Sequence, residues 1–222
     1  PPDMYNLIGH DPYVSDNVED GGSLGATHVV MNPKYWDKHL KKSPLVATYI
    51  GKPYGGKEEY YNIQEKLMAL YGNPTRGLWY EANRGQFCRD YYLRKRKTHL
   101  LAVRPQRVVG STVQQKKITQ YGWIVGNKIA KIQILELLRD WLLEDIIVGN
   151  KKMKIIESLP CMLTLRQIAA FDLENGNFDA IMSFAGAIIG LRENEHFSED
   201  MAIHKTKNML SFISTHRRQK RR

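Results

Sequence analysis

A mixed α/β domain is the architecture carried by this chain's apolar pattern. Three short apolar runs near the start lie close enough together to pair as an antiparallel meander. Beyond them, strand-like and helix-like stretches alternate, which implies parallel pairing. The second half is dominated by amphipathic helical stretches.

The first predicted strand is Tyr5 to His10 (YNLIGH), stopped by Asp11-Pro12 because proline has no donor for a β-ladder. A turn-rich, acidic connection, VSDNVEDGGSLG, leads to a second strand over Ala26 to Met31 and then a third over Leu45 to Ile50. After a glycine-rich turn, Glu58 to Tyr71 carries apolar residues at Tyr60, Ile63, Leu67, Leu70 and Tyr71, the spacing of one helix face. Gly72-Asn73-Pro74 ends that helix. Leu78 to Glu81 reads as a buried strand, Gln86 to Lys95 as a short helix, and His99 to Val103 as a further strand. Residues 104–126 are irregular, with Gly110, Gly122 and Gly126 and few apolar anchors.

From Lys128 to Leu143, the positions Ile129, Ile132, Leu135, Leu138, Trp141 and Leu142 describe an amphipathic helix. Leu159 to Phe171 and Asp179 to Leu191 follow as two more helices, separated by the turn Glu174-Asn175-Gly176-Asn177. Ser198 with Glu199 and Asp200 forms a predicted cap for a last helix, which runs out into THRRQKRR. We therefore expect one domain over 1–195 and a C-terminal helix with a basic tail over 196–222. No internal repeat is present.

With 222 residues and 42% hydrophobic content, the chain is long enough for one sizeable core. No run of about 18 apolar residues occurs and the N-terminus lacks the basic and apolar regions of a signal peptide, so a soluble protein is expected. The missing initiator Met, with a strand beginning almost at once, sets the expectation of a fragment cut from something longer. Cys88 and Cys161 are too few for a disulfide framework and are not spaced with His as a zinc site would be.

Lys and Arg outnumber Asp and Glu by 33 to 23, giving a net charge of +10. The excess is clumped at Lys38 to Lys42, Arg94 to Lys97, Lys151 to Lys154 and Arg217 to Arg222. Clumped positive charge suits a polyanion, because each Lys or Arg on a phosphate releases condensed counterions. Solvated loops and a basic tail are the ordinary alternative. Arg94 and Lys95 are the candidates for DNA contact from the second cluster.

The stretch GKPYGGKE, residues 51 to 58, imitates a phosphate-cradling loop between a strand and a helix. Its chemistry is wrong for nucleotide hydrolysis. Glu58 stands where Ser or Thr would hold magnesium, Glu59 adds a second carboxylate, and Pro53 removes a backbone N–H. No bound nucleotide is expected.

Acids interrupt apolar runs at three places: Asp11 ends the first strand, Glu81 ends Leu78-Trp79-Tyr80, and Asp179 heads the helix AIMSFAGAII. Half-buried carboxylates need a cation or donors, because desolvating the charge is costly. If the three converge, they form an oxygen-only site of the kind that selects magnesium or manganese over zinc. Two such ions about 4 Å apart promote phosphodiester cleavage. Each acid also has an ordinary role open to it: a turn former before Pro12, a cap for the helix after Asn83, and a helix N-cap.

GHDPYVSD, TYIGKPYGGKEEYYN, the helix end LMALYGNP, LWYEANRG, YGWIVGNKIAKIQILELLRDWL and LRQIAAFDLENGNFDAIMSFAGAII, in that order, resemble the nuclease domain of the large terminase subunit of tailed bacteriophages. The resemblance runs from about Tyr5 to Leu191. It implies a ribonuclease H-like fold, with a central mixed sheet and helices on both faces. It also implies a two-metal site (Mg2+ or Mn2+) on Asp11, Glu81 and Asp179 that cuts concatemeric double-stranded DNA during genome packaging. Many members carry His-Asp-Asp where this chain has Asn177-Phe178-Asp179, so an auxiliary ligand is missing; Asp16, just past Asp11, is the first substitute and Asp172 the second.

Lys128, after a stretch that matches one near the family's active site, and Arg84, three residues past Glu81, are candidates for contact with DNA phosphates; a merely solvated side chain is the ordinary alternative for each. In the family the motor is a separate N-terminal ATPase domain. The implied partners are that domain, the portal ring and the small terminase subunit, and the implied place of work is the host cytoplasm at the procapsid. A non-catalytic DNA- or portal-docking module of the same fold is the rival reading. A resolvase or transposase of that fold is a third.

Overall fold

The structure, a computed structural model, describes residues 5–13, 24–35, 42–71, 77–83, 85–105, 121–125, 128–172 and 178–194. Its centre is a four-stranded mixed sheet built from β1 (Asn6–Asp11), β2 (Gly25–Met31), β3 (Leu45–Gly51) and β4 (Leu78–Tyr80), in the order β3-β2-β1-β4. The first three form the expected antiparallel meander, and β4 joins the far side of β1 in parallel. The helices are α1 (Gly56–Tyr71), α2 (Gln86–Arg94), α3 (Lys128–Leu142), α4 (Met162–Ala169) and α5, residues 179–194.

The pleat sorts the central strands' side chains onto two buried faces. Ile8, Val29, Leu78 and Tyr80 pack with Tyr60, Tyr61 and Met68 of α1 and Cys88, Tyr91 and Tyr92 of α2. Leu7, Val30 and Trp79 pack with Ile134, Leu138 and Trp141 of α3 and with Phe184, Ala187 and Ile188 of α5. Both sheet faces are therefore covered by helices, and every residue of β1 is buried. This is why the neighbouring residues Leu7 and Ile8, which point to opposite faces, are both apolar.

Several expectations are corrected. The buried face of α1 is Tyr60, Tyr61, Gln64 and Met68, while Leu70 is 70% exposed. In α3, Ile134, Leu138, Trp141 and Leu142 are buried, whereas Ile129 is 66% exposed. The strand expected over His99 to Val103 is a 3-10 turn at Thr98–Leu100 followed by single bridges: Leu101 to Leu78 and Val103 to Tyr121. A hairpin, β5 (Asp145–Val148) and β6 (Lys151–Lys154), occupies a stretch read only as a basic cluster. Gly149 turns it with φ of 63°, a conformation that favours glycine. The predicted helix after Ser198 lies outside the described residues.

Between α5 and β1 the backbones touch. A Cβ added at Gly9 would lie 1.8 Å from the Ser183 carbonyl oxygen and 2.3 Å from the Ala187 nitrogen. Gly186 makes the reciprocal approach, its added Cβ falling 2.9 Å from the Trp79 carbonyl and 3.4 Å from the Gly9 Cα. This contact fixes the helix that begins with Asp179 against the strand that ends in Asp11.

Candidate acidic site at the sheet end

Asp11 is the last residue of β1, and Glu81 immediately follows β4. The parallel register pairs Ile8 with Leu78, Gly9 with Trp79 and His10 with Tyr80. Continued by one residue, it sets Asp11 beside Glu81, and the Glu81 N–H donates to the His10 carbonyl at 3.1 Å. Neighbouring strands lie about 4.8 Å apart, so the two carboxylates share one end of the sheet. Alternation also gives them a common face: Asp11 follows the parity of Leu7 and Gly9, Glu81 that of Trp79, and this is the face that α5 covers.

Asp179 opens α5 one helical turn before Ser183, whose carbonyl crosses Gly9. Its Oδ2 accepts the Leu24 N–H at 2.7 Å. Leu24 immediately precedes β2, and Ala26 of that strand pairs with Asp11. Two independent contacts therefore bring Asp179 to the sheet end that carries Asp11 and Glu81. Asp11, Glu81 and Asp179 are 2%, 7% and 3% exposed. Among the described residues, no group of three or more His, Cys, Asp or Glu is arranged to hold one metal ion.

The strand ends are braced from both faces. On the α5 side, His28 is fully buried and joins Ser183 Oγ at 2.6 Å to Thr164 Oγ1 at 2.8 Å, stacked on Phe184. Ser183 Oγ donates its single proton to the Ala180 carbonyl, so it accepts from His28 Nδ1–H, and His28 Nε2 accepts from Thr164. On the α1 side, His10 meets Thr27 Oγ1 at 3.1 Å, and Thr27 donates to Gln64 Oε1 at 2.7 Å. Burial pushes both histidines from the usual range down to about 3, so both are neutral tethers. The Tyr60 hydroxyl approaches the Asp11 and Ala26 carbonyls at 3.4 Å, and burial raises its pKa well above the usual tyrosine value.

Asp16 and Arg84 lie outside the described residues. Asp172 is exposed at the end of the α4 segment. Lys128 is exposed at the start of α3, five residues past Trp123, which bridges to Glu81. Arg94 and Lys95 both face Glu58 of α1, at 3.2 and 3.7 Å, so one carboxylate offsets part of their charge. In the glycine-rich turn, the Gly55 N–H donates to Glu59 Oε2 at 2.7 Å and the Gly56 N–H to the Pro53 carbonyl at 3.1 Å.

Sequence reading missed two supports of the site. Residues Tyr121–Trp123 run along the outer side of β4, with Trp123 N–H donating to the Tyr80 carbonyl and Ala82 N–H to the Trp123 carbonyl. The His28 tether was legible only as a polar residue inside an apolar strand. No helix among the described residues is long and apolar enough to cross a membrane. In comparisons with known proteins, no family model, no curated protein and no solved structure matches the chain.

Proposed function

We propose that this chain is a magnesium- or manganese-dependent DNA endonuclease with a ribonuclease H-like fold. In this reading it cuts concatemeric double-stranded DNA during genome packaging, as its resemblance to large terminase nuclease domains suggests. The observation that carries the reading is the adjacency of Asp11 and Glu81 at the ends of parallel strands, with Asp179 brought to the same end by a helix packed backbone to backbone on β1.

The donor set suits these metals. It is oxygen only, and magnesium is commonly held by one or two carboxylates together with substrate phosphates. Asp11 and Glu81 would supply the first two ligands, and Asp179 would complete a second position. Bound divalent ions would offset the charge that builds on the phosphate and leaving oxygens during hydrolysis. The chain's own part is positional. The parallel register sets the spacing of Asp11 and Glu81, α5 sets the height of Asp179, and the basic surface holds the DNA backbone.

A second reading is a non-catalytic docking module for DNA or a portal ring, supported by Asn177-Phe178 standing where many terminase nuclease domains carry His-Asp. Nicking of supercoiled plasmid in manganese separates the two. The nuclease reading expects cleavage that disappears in Asp11→Asn, Glu81→Gln and Asp179→Asn. DNA binding with no nicking by the parent at saturating manganese would favour the docking module.

A further inference from the structure

We infer that the turn between β3 and α1 is a DNA-strand contact, in which Lys52 and Lys57 take backbone phosphates and Tyr54 stacks on an unpaired base. The inference deepens the nuclease reading and rests on it for the choice of DNA as the polyanion.

The turn leaves the sheet at the end that carries the acids. Gly51 pairs with Gly25, and the next residue of β2, Ala26, pairs with Asp11. The turn therefore starts two strands from Asp11, about 10 Å across the same sheet end. At its tip Tyr54 is fully exposed, an aromatic ring that no described residue covers.

Two lysines flank that ring, each with its ammonium placed over an aromatic face. Lys52 Nζ lies 5.3 Å from the ring centre of Tyr13, two residues past Asp11. Lys57 Nζ lies 3.9 Å from the ring centre of Phe87, in the first turn of α2, which follows Glu81. One cation thus lies against a residue that follows β1 and the other against a residue that follows β4. Both side chains are half-buried, and each ammonium lies over an aromatic face.

The backbone of the turn points away from a nucleotide and towards a polymer. Its Gly55 and Gly56 donors are engaged by Glu59 and Pro53, so a phosphate meets the side-chain cations rather than a ring of amides. Two cations that flank an exposed ring in the turn match a strand of alternating phosphates and bases.

The test is fluorescence anisotropy in EDTA, where cleavage is silent, with a labelled blunt duplex and the same duplex carrying a single-stranded overhang. Lys52→Ala/Lys57→Ala should weaken binding to both probes and lower the slope of log K against log salt by one to two, roughly 0.9 for each phosphate that is no longer neutralised. Tyr54→Ala should cost about tenfold on the overhang probe alone, with Tyr54→Phe restoring it. Unchanged melting temperatures would confirm that the variants are folded. Parent-like affinity and salt slope in the lysine and Tyr54→Ala variants would overturn the inference, and so would a parent that binds neither probe. Parent binding that depends on the turn, with no nicking in manganese, would sink the nuclease reading and leave this contact standing.

Discussion

Asp11 and Glu81 are register neighbours at the ends of two parallel strands, joined by the hydrogen bond from the Glu81 N–H to the His10 carbonyl at 3.1 Å. Their separation is therefore set by the sheet ladder and not by side-chain choice. A cation bound between them would stabilise the folded state, because the unfolded chain has no such pair.

Manganese should raise the melting temperature of the parent, with a stabilisation of about 2.7 kcal/mol at one hundred times its dissociation constant. Asp11→Asn and Glu81→Gln should lose most of that increment while melting, without metal, at or above the parent. Differential scanning fluorimetry across a manganese titration reads both effects. A parent whose melting is indifferent to manganese would remove the metal from the proposal.

Gly9→Ala tests the contact that positions Asp179. The new Cβ would fall 1.8 Å from the Ser183 carbonyl oxygen, which is backbone and cannot swing aside. Helix α5 must move, at a cost of about 3 kcal/mol. Urea denaturation should show this loss, and nicking should fall further than the unfolded fraction explains. A neutral Gly9→Ala would mean that the helix rides on the strand with slack.

The buried histidines set a pH window. Folded, His10 and His28 have pKa values lowered to about 3, so between that value and about 6.5 the unfolded chain binds protons that the folded chain does not. The sign follows: stability is fully present above about pH 6.5 and falls as pH drops below it, by up to about 1.4 kcal/mol per pH unit for each histidine. Urea midpoints between neutral and acid pH should show the decline. In His28→Gln its slope should shrink by one histidine's share, and an unchanged slope would show that carboxylates alone drive the acid transition.

Glu58 offsets Arg94 and Lys95 on the outer side of α1 and α2. If the two cations belong to the DNA surface, Glu58→Gln should strengthen duplex binding and steepen its salt dependence by up to one counterion. Unchanged anisotropy would mark the pair as a surface ion-pair cluster of little energetic consequence.

Much of this arrangement could be read from the residues. The meander was legible because β1, β2 and β3 are short apolar runs cut by Pro12, by glycines and by Pro44. Asp11, Glu81 and Asp179 stood out because each ends or opens an apolar run, and the register then explains why the first two meet. What stayed hidden depends on partners far along the chain. Trp123 joins Glu81 through a single bridge, too short to leave a periodic signal. The β5–β6 hairpin is hidden by the basic run Lys151–Lys154, in which Lys151 and Lys152 are exposed while Met153 packs against the core. Leu70 and Ile129 misled because helical spacing cannot say which of two adjacent apolar stripes faces the core.

The glycines where α5 meets β1 leave no cushion of side chains between helix and strand. Drift in the sequence can rework the basic surface residue by residue, but any added carbon at Gly9 or Gly186 would shift a whole helix as a block. Adjusting how α5 seats on β1, and with it the height of Asp179, is then an all-or-nothing change.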